Sequence, residues 1–311
     1  MASYASDVKK ELTSLQVHPE HAKAELAAFL RMNGVLNLHD HQFSLDITTE
    51  NPAIARRIFT LIKVAFGIEP LLIVSRKMKL KKNNQYLVRL QQNVQEILQA
   101  LQIWDPAKGL ITRIPDRIMT SREGAMSYLR GAFLAGGSVN NPETSRYHLE
   151  IYSTYEDHNL DLAKLMNKFF YLNAKATKRR SGYIVYLKEA EKIGDFLHIV
   201  GALNAMLSFE DLRIMRDMRN SVNRLVNCDT ANLKKTATAA AKQVEDIQLI
   251  DQERGIDSLP EKLQLLAHFR LENPELSLKE VAEKLPDGPI SKSGVNHRFK
   301  KLREIADNLR E

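Results

Sequence analysis

A single cysteine, Cys228, leaves the chain without a partner for an internal disulfide. No histidine lies near it in sequence, so it reads as a small buried apolar group and not as a catalytic thiol. No apolar run is long enough for a signal peptide or a membrane span, and the expectation is a cytoplasmic protein without membrane contact. A phosphate loop of the Gly-x-x-x-x-Gly-Lys type and a dinucleotide fingerprint are both missing. His39 and His41 flank Asp40 with metal-like spacing, but no third ligand accompanies them. The reading there is a turn ahead of a strand, and neither a metal nor any other cofactor is expected.

Acids are absent from two stretches in which positive charge collects. Residues 71–95 hold Arg76, Lys77, Lys79, Lys81, Lys82 and Arg89, and residues 288–303 hold five Lys and Arg. The net charge of +7 and a pI near 9.3 favour a polyanionic partner. Residues 1–208 carry 27 Lys and Arg against 20 Asp and Glu, while 209–311 balance at 18 each, which puts the excess in the N-terminal part. A length of 311 residues with 44% hydrophobic content implies at least two domains with buried cores.

What the chain does contain is an internal duplication. Residues 25–34 (ELAAFLRMNG) recur as 128–137 (YLRGAFLAGG), and the match continues through 43–47 (FSLDI) and 147–151 (YHLEI). Leu26, Phe29 and Leu30 in one copy, and Leu129, Ala132 and Phe133 in the other, make an apolar helical stripe. Ala27, Ala28, Gly131, Ala135 and Gly136 let two such helices approach backbone to backbone across a pseudo-twofold axis. Phe43, Leu45 and Ile47 alternate with Ser44, Asp46 and Thr48, the pattern of a half-buried strand. Helices are expected over 53–66 and 160–170, and hairpin turns at Asn83-Asn84 and Ser181-Gly182. The second hairpin is basic like the first, with Lys175, Lys178, Arg179, Arg180 and Lys188.

Over roughly residues 20–205 these features resemble the LAGLIDADG homing endonucleases. The resemblance implies two αββαββα repeats, over about 20–105 and 122–205, with the motif helices packed at the twofold axis. In that family an acid near the end of each motif binds the metal at the DNA-cutting centre. Those positions fall here on Asn33 and Gly136, neither of which supplies a carboxylate. The expectation is a nuclease scaffold without nuclease chemistry, an active endonuclease being the disfavoured rival. Asp46 and Glu150 occupy matching positions and are read as acids of an exposed sheet face that offset neighbouring cations. Arg76, Lys77, Lys79, Lys81, Lys82, Lys178, Arg179 and Arg180 are read as accessory contacts to DNA phosphates. A surface for a protein partner is the alternative.

From Glu210 the pattern turns helical and stays so. The segment 227–232 (NCDTAN) favours side-chain to backbone bonds, and a break between two helices with buried polar turn residues is expected there. Further on, residues 258–261 and 277–280 read as capping boxes. Three short helices follow, burying Leu263, Leu266 and Phe269, then Val281, Ala282 and Leu285, then Val295, Phe299, Leu302 and Ile305, which describes a helix-turn-helix. On the last helix Ser293, Asn296 and His297 are assigned to base edges, and Lys292, Arg298, Lys300, Lys301 and Arg303 to phosphates. Gly294 is read as a position where the backbone approaches DNA closely.

Residues 219–232 (RNSVNRLVNCDTAN) and 291–303 (SKSGVNHRFKKLR) resemble the WhiA family of bacterial sporulation and cell-division regulators. With the degenerate repeats, the likeness covers nearly the whole chain. It implies a regulator tied to cell division and chromosome segregation. The expected fold is therefore α+β: a duplicated domain over 1–208, a helical connector over 209–255, and an all-α helix-turn-helix domain over 256–311. The expected partner is double-stranded DNA in the nucleoid, with a division or transcription protein as a second candidate.

Overall fold

The computed structural model of the chain describes residues 3–39, 42–76, 84–144 and 146–310. Helix α1 (Tyr4–Ser14) leads into the first copy: α2 (Pro19–Asn33), β1 (Gly34–His39), β2 (Gln42–Thr49), α3 (Pro52–Phe66), β3 (Leu71–Arg76), β4 (Asn84–Leu90) and α4 (Val94–Ala100). A short ribbon, β5 (Trp104–Asp105) with β6 (Gly109–Leu110), and helix α5 (Asp116–Thr120) connect to the second copy. That copy comprises α6 (Arg122–Gly136), β7 (Gly137–Val139), β8 (Leu149–Ser153), α7 (Glu156–Phe170), β9 (Lys175–Arg179), β10 (Gly182–Leu187) and α8 (Ala190–Val200). Each copy builds one antiparallel sheet, ordered β1-β2-β4-β3 and β7-β8-β10-β9. The αββαββα order holds in both.

Local chemistry explains the boundaries. Asn51 caps α3 by accepting from the N–H groups of Ala53 and Ile54, and Pro52 occupies the first turn. Gly67, at φ 69°, closes the other end in the left-handed conformation. In β2, Leu45 and Ile47 are buried while Ser44, Asp46 and Thr48 lie on the other, half-covered face. The β9–β10 turn consists of Arg180 and Ser181, since Gly182 already pairs with Arg179. The expectation of Ser181-Gly182 is thus off by one residue. Gly182 lies against the tip of Tyr152: a Cβ there would come within 2.5–2.7 Å of its hydroxyl and ring edge, so a larger residue has to displace that side chain.

Helices α2 and α6 run through the middle of this unit, with Leu26, Ala27, Ala28, Phe29, Leu129, Ala132 and Phe133 fully buried. A Cβ on Gly131 would lie 2.4 Å from the Glu25 carbonyl oxygen, so the backbones touch where the small residues predicted it. Two buried polar clusters flank this contact. Glu25 accepts from Arg57 through both oxygens, at 2.8 and 2.9 Å, and from Arg130 at 3.4 Å. On the other side Arg31 donates to the Tyr128 hydroxyl at 3.2 Å, which in turn lies 2.7 Å from His158 Nε2.

The chain divides into two compact units, Met1–Arg216 and Asp217–Glu311. Helix α9 (Leu203–Arg254) is continuous, and the break expected at 227–232 does not occur. Residues 217–235 are exposed, so Asn227, Asp229 and Asn232 meet water instead of competing for backbone groups. The alanines of 237–241 then carry the helix onward. Cys228, expected to be buried, is exposed on this helix.

The C-terminal unit packs the end of α9, through Ile247 and Ile250, against α10 (Glu261–Glu272), α11 (Leu278–Lys284) and α12 (Lys292–Arg310). Leu263, Leu266, Val281, Ala282, Leu285, Val295, Phe299 and Leu302 are buried as expected, whereas Phe269 and Ile305 are half-covered. Ser277 forms the capping box with Glu280. Ser258 does not form one, because α10 starts only after Pro260. Ser258 instead closes a 3-10 turn by donating to the Gly255 carbonyl.

Candidate nucleic-acid interface

The turn between α10 and α11 is held by a cation, not by an apolar residue. Arg270 is buried and donates to the carbonyls of Asn273, Pro274 and Leu276, at 3.2, 3.5 and 2.7 Å. Its guanidinium also sits 5.2 Å from the centre of the Phe299 ring, which joins the turn to α12. Burial lowers the pKa of Arg270, yet no guanidinium releases its proton near neutral pH. At the far end Arg310 pairs with the buried Asp246 of α9 at 2.6 Å, so α12 is fixed along its length.

With that scaffold, α12 turns Lys292, Ser293, Asn296, His297, Lys300, Lys301 and Arg303 to solvent. Ser293 and His297 lie opposite the buried stripe, and Asn296 and Lys300 flank them on one side. Arg298 behaves differently: it is half-covered and bound to Asp287 at 2.9 Å, which ties the loop before α12 to the helix. Lys300 and Arg303 have Glu304 and Asp307 one turn on, each at 4.0 Å and exposed. Such pairs exchange readily with solvent and leave the cations available. Gly294 packs on Ile290 and Ser291 with ordinary spacing for a Cβ, at 3.4–4.0 Å, so its glycine has no steric cause within this unit.

Sequence reasoning missed a second rank of cations. Lys235 of α9, Lys279 of α11 and Lys292 of α12 line one groove of about 320 Å³. Lys242 and Gln243 of α9 share another, of about 400 Å³, with Asn296, Lys300 and Arg303. The signal was present in the chain, as lysines at helical spacing after residue 233, but their proximity to α12 needs the fold.

In the N-terminal unit the accessory residues separate by copy. Lys178, Arg179 and Arg180 are exposed at the tip of β9–β10, and Arg76 is exposed at the end of β3. Lys77, Lys79, Lys81 and Lys82, like Asp40 and His41, lie outside the described residues. Asp46 accepts from Arg89 through both oxygens at 2.8 Å, and from Asn37 at 3.0 Å. Glu150 is met by His148 at 2.9 Å and Arg179 at 3.9 Å. Each matching acid is therefore engaged within its own sheet.

Asn33 and Gly136, the positions that the resemblance aligns with the endonuclease acids, are filled by packing. Asn33 donates to the Ala135 carbonyl at 3.3 Å, across the twofold. A Cβ on Gly136 would lie 2.8 Å from Met32 Cε and 2.9 Å from the Tyr152 carbonyl oxygen. There is no room for an aspartate without displacing backbone. Among the described residues, the one group of side chains close enough to share an ion is His18, Glu20 and His21, within 4.8 Å of one another, at the far end of α2 from Asn33.

These features define a class: a duplicated LAGLIDADG-like domain followed by a helix-turn-helix. Three family models agree, describing a WhiA N-terminal LAGLIDADG-like domain over 19–104, a WhiA LAGLIDADG-like domain over 125–219 and a WhiA C-terminal helix-turn-helix domain over 222–306. The chain belongs to the WhiA family. It is 88% identical over 311 residues to the probable cell division protein WhiA of Lactobacillus acidophilus, and 86% identical to that of Lactobacillus helveticus, covering 100% of each. The crystal structure of full-length DUF199/WhiA from Thermatoga maritima matches over 98% of both chains, at 28% identity and a TM-score of 0.59.

Proposed function

We propose that the protein is a non-enzymatic, sequence-reading DNA-binding regulator that serves bacterial cell division and chromosome segregation from the nucleoid. The observation that carries this reading is the solvent-exposed, acid-free start of α12 on a rigidly clamped helix-turn-helix. Ser293, Asn296 and His297 reach base edges in the major groove, while Lys292, Lys300, Lys301 and Arg303 hold phosphates. Arg298 contributes to phosphate binding only by giving up Asp287. The relatives are named probable cell division proteins, which supports the division role.

The test is operator binding by the full chain to fragments recovered from genome-wide mapping of its bound sites. Lys300→Glu with Lys301→Glu abolishes retention of those fragments; unchanged affinity removes the reader from α12. The same preparation shows no Mg²⁺-dependent cutting, because Asn33 and Gly136 offer no carboxylate.

A second role for the duplicated domain follows from its edge strands. Lys175, Lys178 and Arg179 on β9 suit DNA phosphates, but Leu71, Leu72, Ile73 and Val74 on β3 are 39–56% exposed and apolar. An open apolar edge suits a division or transcription protein instead. Charge reversal at Lys178 and Arg179 lowers the DNA affinity of the full chain evenly across sequences if β9 touches phosphates, and leaves it unchanged if the domain serves protein contacts alone.

A further inference from the structure

Residues 217–235 form a stretch of α9 that touches no other part of its unit closely enough to be covered. Exposed helix of this length needs a reason, since propensity alone supports it weakly. Its surface is sharply divided. At about 100° per residue, Asn220, Asn223, Arg224, Asn227, Lys234 and Lys235 fall within about a third of the circumference. Met218, Val222, Leu225 and Leu233 lie opposite, and between residues 218 and 244 the sole acid, Asp229, is on that opposite side. Asn is a side chain that recognises adenine edges by paired hydrogen bonds, and Arg and Lys hold phosphates. A surface that needed only solubility would more naturally carry mixed Glu and Lys. The same face runs toward α12: Lys235 shares a groove with Lys292, and Lys242 shares one with Asn296, Lys300 and Arg303.

We propose that this face of α9 is a second contact to duplex DNA, adjoining the segment read by α12. Asn220, Asn223 and Asn227 meet base edges, and Arg224, Lys234 and Lys235 meet phosphates. The inference rests on the DNA-reading role of α12 and extends the recognised sequence beyond one helix. It also gives the amide-rich segment 219–232 a task that a turn between helices does not provide.

The test uses the full chain, on bound-site fragments and on random duplex, over a range of salt. Alanine favours helix, so these exposed substitutions keep α9 folded, which circular dichroism verifies. Asn220→Ala, Asn223→Ala and Asn227→Ala together weaken binding about tenfold or more on bound-site fragments and leave random duplex unchanged. Arg224→Ala, Lys234→Ala and Lys235→Ala together weaken both and make the salt dependence shallower, by about 2–3 in the log-log slope. A control pair on the opposite side, Met218→Ser and Leu225→Ser, changes neither. Unchanged affinity and slope in both α9 sets, with binding abolished by Lys300→Glu and Lys301→Glu, overturns the proposal. A control pair that weakens DNA binding as much as the asparagine set also overturns it, because the assigned face is then wrong. If the α12 changes themselves have no effect, the failure lies with the underlying reading and not with α9.

Discussion

Aligned on Gly34 and Gly137, the two copies of the N-terminal repeat place Glu25 where the other has Tyr128, and the buried clusters around these positions differ in kind. Glu25 gathers charge: Arg57 comes from its own copy and Arg130 from across the twofold. Tyr128 gathers neutral groups, passing a hydrogen bond to His158 and on to Ser153, with Arg31 as the cation that reaches across. In each case one arginine crosses the axis, although Arg31 and Arg130 are not equivalent positions. Duplication preserved the demand that the helix pair be sealed on both sides, and the two copies met it with different side chains. The positions aligned with the endonuclease acids differ in the same way, Asn33 donating a hydrogen bond and Gly136 leaving room that Met32 fills.

The ionic side is the more fragile. Glu25→Ala leaves the buried Arg57 guanidinium facing the half-covered Arg130 without an anion, and costs about 3–5 kcal/mol in a denaturant titration. Its counterpart Tyr128→Phe deletes a neutral hydroxyl and costs far less, about 1–3 kcal/mol. Equal losses in the two variants would show that the clusters are not distinct in character.

Neither cluster was legible in the sequence. Glu25 and Arg57 are 32 residues apart and Glu25 and Arg130 are 105 apart, and nothing in local periodicity joins them. The helical stripes, by contrast, were legible because Leu26, Phe29, Leu129 and Phe133 repeat with the helix period, and Gly131 announced the close approach by its size. No break occurs in α9 because the local backbone bonds that Asn and Asp offer outside a helix are weak, and on this exposed stretch water takes those side chains while the helix keeps its own ladder. The Ser258 cap was misread because its spacing to Glu261 matches a capping box, while Pro260 delays the helix start. On α12 the exposed face followed directly from the spacing of Val295, Phe299 and Leu302, but the neighbouring cations of α9 did not.

The neutral side has its own signature, in pH. Burial, with Arg31 adding to it, pushes the His158 imidazole down to about 3, against a value near 6.5 in the unfolded chain. Partner geometry leaves His158 neutral: Nε2 accepts from Tyr128, and Nδ1–H donates to Ser153 at 2.8 Å. The unfolded state therefore binds the extra proton between those two values. Stability is full above about pH 6.5 and falls as pH drops towards 3, with a slope approaching about 1.4 kcal/mol per unit. Unfolding titrations at pH 7 and pH 5 show a drop of about 2 kcal/mol from this group, and His158→Gln flattens that part of the profile. A profile as steep in the variant as in the parent chain would place the proton elsewhere.

The contact between the clusters gives a smaller effect. Gly131→Ala drives a methyl group into the Glu25 carbonyl at 2.4 Å and separates α2 from α6, costing about 1–3 kcal/mol. The equivalent residue of the other copy, Ala28, already carries its Cβ, so the approach is asymmetric even at the axis. Ala28→Gly removes only that methyl and costs about 1 kcal/mol in helix propensity. A reversed order would mean that the helices can separate freely.

The smallest effect is at Asn33. Its amide satisfies the Ala135 carbonyl at the C-terminal end of α6, a single hydrogen bond in a partly covered site. Asn33→Ala removes the donor, water replaces it in part, and the loss is about 0.5–1 kcal/mol by thermal or chemical unfolding. Asn33→Asp is the sharper comparison, because it restores the acid of the endonuclease pattern while setting a carboxylate against that same carbonyl. It is expected to lower stability at pH 7 more than alanine does, and to produce no Mg²⁺-dependent cutting, since Gly136 still supplies no second ligand and Met32 fills its space. An aspartate variant more stable than the alanine one in the presence of Mg²⁺ would mean that the ion still finds a seat between the two helices. The hydrogen bond to Ala135 would then not be what the position was left to do.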